Sequence, residues 1–347
     1  MTASVPTIAV DVMGGDLGPS VAVHGALQAA AEGGFRVILV GDEAVVAPEA
    51  ARSPYSTARY SIVHAPEVAL MGEKASDILR RKKDASIQVA CRLIKDSEAD
   101  GVVSPGHSGA TLACGMFILG RIPGVERAAL VSVLPTETRP IIVLDVGANV
   151  DCKPHHLFQF GLMGDAYARD MLDEANPSLG ILSIGEEEGK GNIQVKEAYD
   201  IFKLASKLNF IGNVEGRDLF KGECRIVVCD GFVGNVVLKM SEGLSRSLTR
   251  MLRRELLGST MAAKIGCLLA KGAFQRFAKS VDYAEYGGAL LLGLQNIVVV
   301  CHGKSNSKAI CNATKMAANF VRKETNQKLV QAISANEELT RFCKAVK

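Results

Sequence analysis

DGVVSPGHSGAT (Asp100–Thr111) begins with small and apolar residues suited to a buried strand. It then runs through Pro105, Gly106, His107, Ser108 and Gly109 into a segment of helical character. A small-residue loop at a strand-to-helix junction brings main-chain N–H groups close to an anion. The pattern recurs on both sides of this stretch. Short β-branched runs end in glycine-rich turns at TIAVDVMGGD (7–16), FRVILVGDE (35–43), YSIVHAPE (60–67) and PIIVLDVGAN (140–149). Others follow at LGILSIGEE (179–187), NFIGNVEG (209–216), RIVVCDGFVG (225–234) and NIVVVCHGKS (296–305). Segments with helical spacing lie between most of them, at Val21–Ala31, Ala85–Lys95, His156–Leu172 and Val195–Leu208. Continuous apolar strands alternating with helices predict a mostly parallel sheet covered on both faces, a three-layer α/β/α sandwich with ligands at the strands' carboxyl ends.

The 347 residues, 48% hydrophobic and 22% charged, are enough for a sizeable core. We expect a single catalytic unit over residues 1–347, with no internal repeat. A net charge of +3 argues against a globally basic nucleic-acid binder. Nine cysteines without a Cys-x-x-Cys pair suit buried thiols in a reducing compartment. The N-terminus has no signal-peptide pattern, and the longest apolar run, GGALLLGLQNIVVVC (287–301), is interrupted by Gln295 and Asn296, so no spanning helix is expected.

Several chemistries are excluded by spacing. DVMGGDLGP (11–19) has the position of a dinucleotide fingerprint but not its glycine pattern, and HGKS (302–305) lacks the P-loop glycine, Val298 standing in its place. His155 and His156 are adjacent, so on a helix their side chains should diverge, and no other cluster suggests a metal. There is no Gly-x-Ser-x-Gly elbow. What remains is a set of polar, glycine-rich loops expected at one end of the sheet.

These loops resemble the phosphate acyltransferase (PlsX) family of bacteria. The resemblance rests on IAVDVMGGDLGP (8–19), VVSPGHSGA (102–110), VLDVGANVDCKPHHLFQFGLMG (143–164), SIGEEEGKGN (183–192), FIGNVEGRD (210–218), VVCDGFVGNVVLK (227–239), DYAEYGGALLLGL (282–294) and HGKSNSKAI (302–310). It covers nearly the whole chain in order. The family usually has an alanine and an asparagine–threonine pair where this chain has Pro105, His107 and Ser108.

The resemblance implies an isopropylmalate-dehydrogenase/phosphotransacetylase-like fold, a homodimer and no cofactor. It implies conversion of acyl-ACP (acyl carrier protein) and inorganic phosphate to acyl-phosphate and free ACP, feeding phospholipid biosynthesis through an acyl-phosphate-using glycerol-3-phosphate acyltransferase. The expected location is cytoplasmic, peripherally associated with an anionic membrane surface. A CoA-dependent phosphotransacetylase and an NAD-dependent decarboxylating dehydrogenase of the same fold remain alternatives.

Phosphate attack on a thioester asks for positioning and oxyanion stabilisation rather than a strong base. On that chemistry Ser104, Gly106, His107, Ser108 and Gly109 are assigned to phosphate, with Asp11, Gly14 and Gly15 beside them. Lys190 and Lys153 are the expected cations; Asn149, Asn192, Asn213 and Asn235 are orienting donors. Asp11, Glu215 and Asp230 are expected to fix loops or lysines.

Residues 243–280 show no strand signal and read as a basic amphipathic hairpin of two helices broken near Gly258. From Leu244 to Ser280 eight cations face one anion, a local +7 in a chain of net +3. Ile265, Leu269, Ala273 and Phe277 share one helical face, while Arg250, Arg253, Arg254, Lys264 and Lys271 supply charge. Anionic lipid, an acidic carrier protein and plain helix packing are all compatible with it.

Overall fold

A computed structural model describes residues 5–258, 260–280 and 287–335. The chain runs β1 (Thr7–Asp11), α1 (Pro19–Gly33), β2 (Arg36–Gly41), α2 (Glu43–Arg52), β3 (Tyr60–His64), α3 (Ala75–Arg81), α4 (Ser86–Lys95), β4 (Gly101–Ser104) and α5 (Ser108–Cys114). Then come β5 (Ala129–Leu134), β6 (Ile141–Leu144), α6 (Pro154–Met171), β7 (Ser178–Ser183), α7 (Ile193–Leu204), β8 (Asn209–Glu215) and β9 (Ile226–Val228). It closes with α8 (Gly231–Gly258), α9 (Met261–Leu269), α10 (Lys271–Ser280), β10 (Ala289–Leu292), β11 (Ile297–Val300), α11 (Ser307–Arg322) and α12 (Thr325–Ser334).

The strands form one sheet of order β3-β2-β1-β4-β11-β10-β5-β6-β9-β7-β8. Alternate residues of each strand point to opposite faces. Ile8, Val10, Val103, Ile142, Leu144 and Val299 enter one core with helices α1, α6 and α11, while Ala9, Val102 and Val298 enter a second with α4 and α5. Ile141, Val143 and Val227 build a third beneath Val237 and Leu238 of α8. Both faces are therefore covered, which is why the strands read as continuous apolar runs.

Two strands absent from the sequence reading change the picture. β10 is antiparallel to both β11 and β5, and β6 is antiparallel to β5, whereas β9, β7 and β8 follow β6 in parallel. So β6 to β10 run against the other six strands. The polar loops expected at one end of the sheet fall on two opposite edges, one set after β1, β4 and β11, the other after β6, β7, β8 and β9. The run 287–301 is a β-hairpin whose turn carries the interrupting Gln295 and Asn296.

The basic segment also differs from expectation. α8 begins at Gly231, where the Asp230 carboxylate accepts the Val233 N–H at 2.8 Å and caps it. The break after Gly258 is present, but a second one divides α9 from α10 at Ala270, closed by the Ala273 N–H on the Ala270 carbonyl at 2.9 Å. Three helices stand where two were expected. Residues 282–286 of the DYAEYGGALLLGL motif lie outside the described residues.

Candidate active site

The first rim is made by the loops after three adjacent strands, β1, β4 and β11. Asp11, at the end of β1, is fully buried and holds them in register. Its Oδ1 accepts Ser86 Oγ at 2.7 Å and the Met13 N–H at 3.2 Å; its Oδ2 accepts Ser104 Oγ at 2.7 Å. Burial raises this carboxyl's pKa, and the hydrogen bonds from Ser86, Ser104, Met13 and Gly14 oppose the rise. Gly14 lies against Gly106 so closely that a Cβ on it would stand 2.6 Å from Gly106 Cα. Gly15 meets Pro105, and the Asp16 N–H bonds the Gly303 carbonyl at 2.8 Å. Three backbones thus converge with no room for side chains between them.

Two phosphate assignments change here. Ser104 gives its hydroxyl to Asp11 and takes the Gly106 N–H at 3.1 Å, so neither that hydroxyl hydrogen nor the Gly106 amide points outward. His107 caps α5: its Nδ1 accepts the Ala110 N–H at 3.1 Å, and its Nε2 lies 2.9 Å from the Glu73 carbonyl oxygen. Because Nδ1 accepts, the proton sits on Nε2 and is donated to Glu73, leaving no ring hydrogen for an anion. Asparagine, the residue implied by the family pattern, also serves at this cap position. Groups left open on the loop include the Ser108 hydroxyl and the N–H groups of Ser108 and Gly109, none of which has a hydrogen-bond partner among the described residues.

The second rim follows β6, β7, β8 and β9. Asp145 is buried and accepts the N–H groups of Leu130 (2.9 Å), Gly147 (3.2 Å), Ala148 (3.0 Å) and Asn149 (2.7 Å). Asn149 gives its side-chain amide to Asp145 at 2.8 Å and to the Ala128 carbonyl at 2.7 Å. It is scaffold rather than an orienting donor. Asn213 is also committed, donating to the Glu187 carbonyl at 2.8 Å while its buried Oδ1 has no partner. Glu215 pairs with Arg217 at 3.0 Å, and Asp230 caps α8. Asn192 caps α7 through Oδ1, which accepts the Val195 N–H at 2.9 Å, and keeps its amide hydrogens. Lys153 and Lys190 are exposed, and neither has an ion pair among the described residues.

Between these loops opens a cleft of about 430 Å³ lined by Val150, Asp151, Cys152, Asn192, Gln194, Asp230 and Phe232. Burial, with Asp145 and Asp230 nearby, pushes the Cys152 thiol up to about 12. It is a thiol at neutral pH and no nucleophile.

No hydrogen bond or ion pair among the described residues joins a predicted residue of one rim to one of the other. Helix α8 relates the two. Asn235 lies beside Gly147 of the second rim, while Lys239, Glu242 and Arg246 act on His302 of the first. These four residues recur at helical spacing and share one face, spanning about 16 Å of helix. His302 accepts the Lys304 N–H on Nδ1 at 3.0 Å; burial and the two α8 cations lower its pKa against Glu242 and Asp16. The sequence reading sets HGKS (302–305) aside as a P-loop and assigns none of His302, Gly303, Lys304, Lys239 and Arg246 to the site. The spacing Asn235, Lys239, Glu242, Arg246 was the signal that could have found the helical four.

His155 and His156 do not diverge. Both rings reach one oxygen of Glu126, at 2.8 and 3.0 Å, in the first turn of α6. The three groups are close enough to share a metal ion. Yet the Lys153 N–H donates to His156 Nδ1 at 3.0 Å, which fixes the proton on Nε2, the atom a metal would need. The donor set fits a hydrogen-bonded clamp on a carboxylate better than a metal centre.

On the basic segment, Ile265, Leu269 and Phe277 are exposed, as are Arg250, Arg254 and Lys271. The side chains of Arg253 and Lys264 lie outside those described. No helix among the described residues is long and apolar enough to cross a membrane.

The fold is a mixed sheet of eleven strands covered by helices, with glycine-rich loops at strand ends. Solved structures share it. A phosphotransacetylase from Streptococcus pyogenes superposes with a TM-score of 0.60 at 18% identity, covering 92% of this chain and 94% of that one. A 4-hydroxythreonine-4-phosphate dehydrogenase from Klebsiella pneumoniae gives 0.51 at 13%, covering 92% and 99%. At such identities the likeness shows the fold alone. Sequence goes further. Residues 6–328 match the family model described as "Fatty acid synthesis protein". The phosphate acyltransferase of Nitratidesulfovibrio vulgaris is 68% identical over 340 residues, 98% of either chain. That of Lawsonia intracellularis is 62% identical over 336 residues, 97% of either. The chain belongs to the phosphate acyltransferase family, and is an acyltransferase.

Proposed function

We propose that the enzyme transfers the acyl group of acyl-ACP to inorganic phosphate, with phosphate held at the first rim. The observation that carries this is the Gly14–Gly106 approach: two loops stripped of side chains, opening beside the Ser108 hydroxyl and the Gly109 amide. Their bareness suits a small anion gripped by main-chain N–H groups. The cleft at the second rim suits it less, because Asp151 and Asp230 line it.

The chemistry needs few groups. The phosphate dianion is well populated at neutral pH and attacks the thioester carbon; the C–S bond then breaks and the thiolate takes up a proton. Cys152, pushed up to about 12 by burial with Asp145 and Asp230 nearby, is not assigned as an acyl carrier, and the transfer is written as direct. Asp11 ties the first-rim loops together and serves as no base. Lys190 is exposed on the second rim with no ion pair among the described residues, and its assignment to charge developing on the thioester oxygen rests on the chemistry of the step, which calls for a cation there. The product, an acyl-phosphate, feeds phospholipid synthesis through an acyltransferase that consumes it.

The exposed basic and apolar faces of α8, α9 and α10 support peripheral attachment of a cytoplasmic protein to anionic lipid and docking of the acidic carrier. The exposed stripe Met240, Leu244, Leu248 and Met251 on α8 supports a homodimer. The test of the reaction is direct: acyl-ACP and labelled phosphate should yield a hydroxylamine-sensitive acyl-phosphate. Turnover of acyl-CoA with none of acyl-ACP would favour the phosphotransacetylase reading instead.

A further inference from the structure

We propose that the second-rim cleft is the binding site for the amide arm of the thioester, the pantetheine chain that carries the acyl group. This rests on the phosphate acyltransferase reading above and assigns it a subsite.

The cleft's polar groups are each pinned at one end and open at the other. Asn192 uses Oδ1 to cap α7 at 2.9 Å and leaves its amide hydrogens. Gln194 donates Nε2 to the Cys152 carbonyl at 2.7 Å and leaves its oxygen. Asp230 caps α8 through Oδ1 at 2.8 Å and leaves its second oxygen. One donor side chain and two acceptors are thus fixed in direction before any ligand arrives. Val150 and Phe232 line the same space with exposed apolar surface.

Pantetheine is the complement of this pattern. Between its thiol and the phosphodiester that joins it to the carrier it is a neutral chain with two secondary amides, each offering an N–H and a carbonyl, separated by two methylenes, with a hydroxyl and a gem-dimethyl carbon beyond the second. Neutrality matters, since the two cleft carboxylates would repel an anionic ligand. At peptide-like extension the arm spans about 14 Å, a length that carries the thioester well away from the point where the carrier is attached.

The experiment compares octanoyl-pantetheine with octanoyl-N-acetylcysteamine, which keeps the thioester and one amide but lacks the rest of the arm, at saturating inorganic phosphate. The wild type should prefer the full arm at least tenfold in kcat/KM. In Asn192→Asp, which keeps the capping oxygen and removes the donor, and in Phe232→Ala, that preference should fall at least fivefold with the KM for phosphate unchanged. Free pantetheine should inhibit the wild type competitively against octanoyl-pantetheine, a measurement that needs no variant. A preference that survives both substitutions, or no inhibition by pantetheine, overturns the site. Failure of the wild type to make acyl-phosphate from any thioester, acyl-ACP included, overturns the reaction itself, a distinct result.

Discussion

His107 is fastened to Glu73: its Nε2 proton goes to the Glu73 carbonyl oxygen at 2.9 Å while Nδ1 caps α5. Glu73 in turn accepts Lys82 Nζ at 2.7 Å and the Leu70 N–H at 2.9 Å through its carboxylate. The 68–74 strap is therefore tied to the first-rim loop through one imidazole. His107→Asn keeps a capping oxygen but is too short for Glu73. Turnover should stay within about threefold of wild type, with faster hydrogen exchange over residues 68–74. His107→Leu removes the cap as well, costing about 1 kcal/mol, visible as a lower Tm. A large loss of turnover in the asparagine variant would restore a direct role for the ring.

Gly14→Ala tests the contact between the first two loops. A Cβ there meets Gly106 Cα at 2.6 Å and Asp11 Oδ2 at 2.8 Å, so the loops must part. We expect turnover to drop more than 100-fold and the KM for phosphate to rise, with the circular-dichroism spectrum unchanged. Normal phosphate kinetics would place the anion elsewhere.

Lys190→Met should lower turnover about 100-fold while the KM for phosphate stays within twofold, because the lysine stands on the second rim. Near-normal turnover in steady-state assays would remove it from the mechanism.

The parallel strands, their flanking helices and the glycine-rich loops were legible because buried parallel strands are apolar throughout and their loops are not. The two strands that reverse direction were not. β10, Ala289–Leu292, is fused in sequence with β11 into a single apolar run, and β5, ALVSVL, places Ser132 within its length. Strand direction has no composition signal; it comes from tertiary pairing. That omission is why loops on two edges read as loops on one. Capping was similarly hidden: Asn192, Asp230 and His107 look like ligand donors in a motif, and only geometry shows which of their atoms are spent on helix ends. His155 and His156 converge because Glu126 reaches them from another loop, a contact no helical spacing can announce.

The burial of His156 sets a pH dependence. Burial drives His156 down to about 4 from an ordinary 6.5, against the opposing pull of Glu126. The folded state then binds fewer protons than the unfolded state between these values, so stability present above pH 6.5 is lost as pH falls toward 4. The full effect is on the order of 3 kcal/mol. Urea midpoints should fall over this window in the wild type and fall less in His156→Gln. Parallel curves for the two proteins would show that another group governs the acid limb.

Helices α9 and α10 carry large apolar side chains that are exposed among the described residues. Leu269 is 84% exposed and Phe277 56%, on short helices that also carry Lys271 and Arg276. Burying two large apolar side chains in an acyl boundary contributes about 2 kcal/mol each, and nearby cations add about 1 kcal/mol apiece over anionic lipid. Replacing Leu269 and Phe277 with glutamate reverses both contributions without touching either rim. In flotation with phosphatidylglycerol-rich vesicles the wild type should co-migrate and the double variant should remain in the dense fraction, whereas zwitterionic vesicles should retain neither. Equal flotation of both proteins would eliminate lipid as the partner of this face and leave the carrier protein or a second copy of the chain to account for its charge and its exposed leucines.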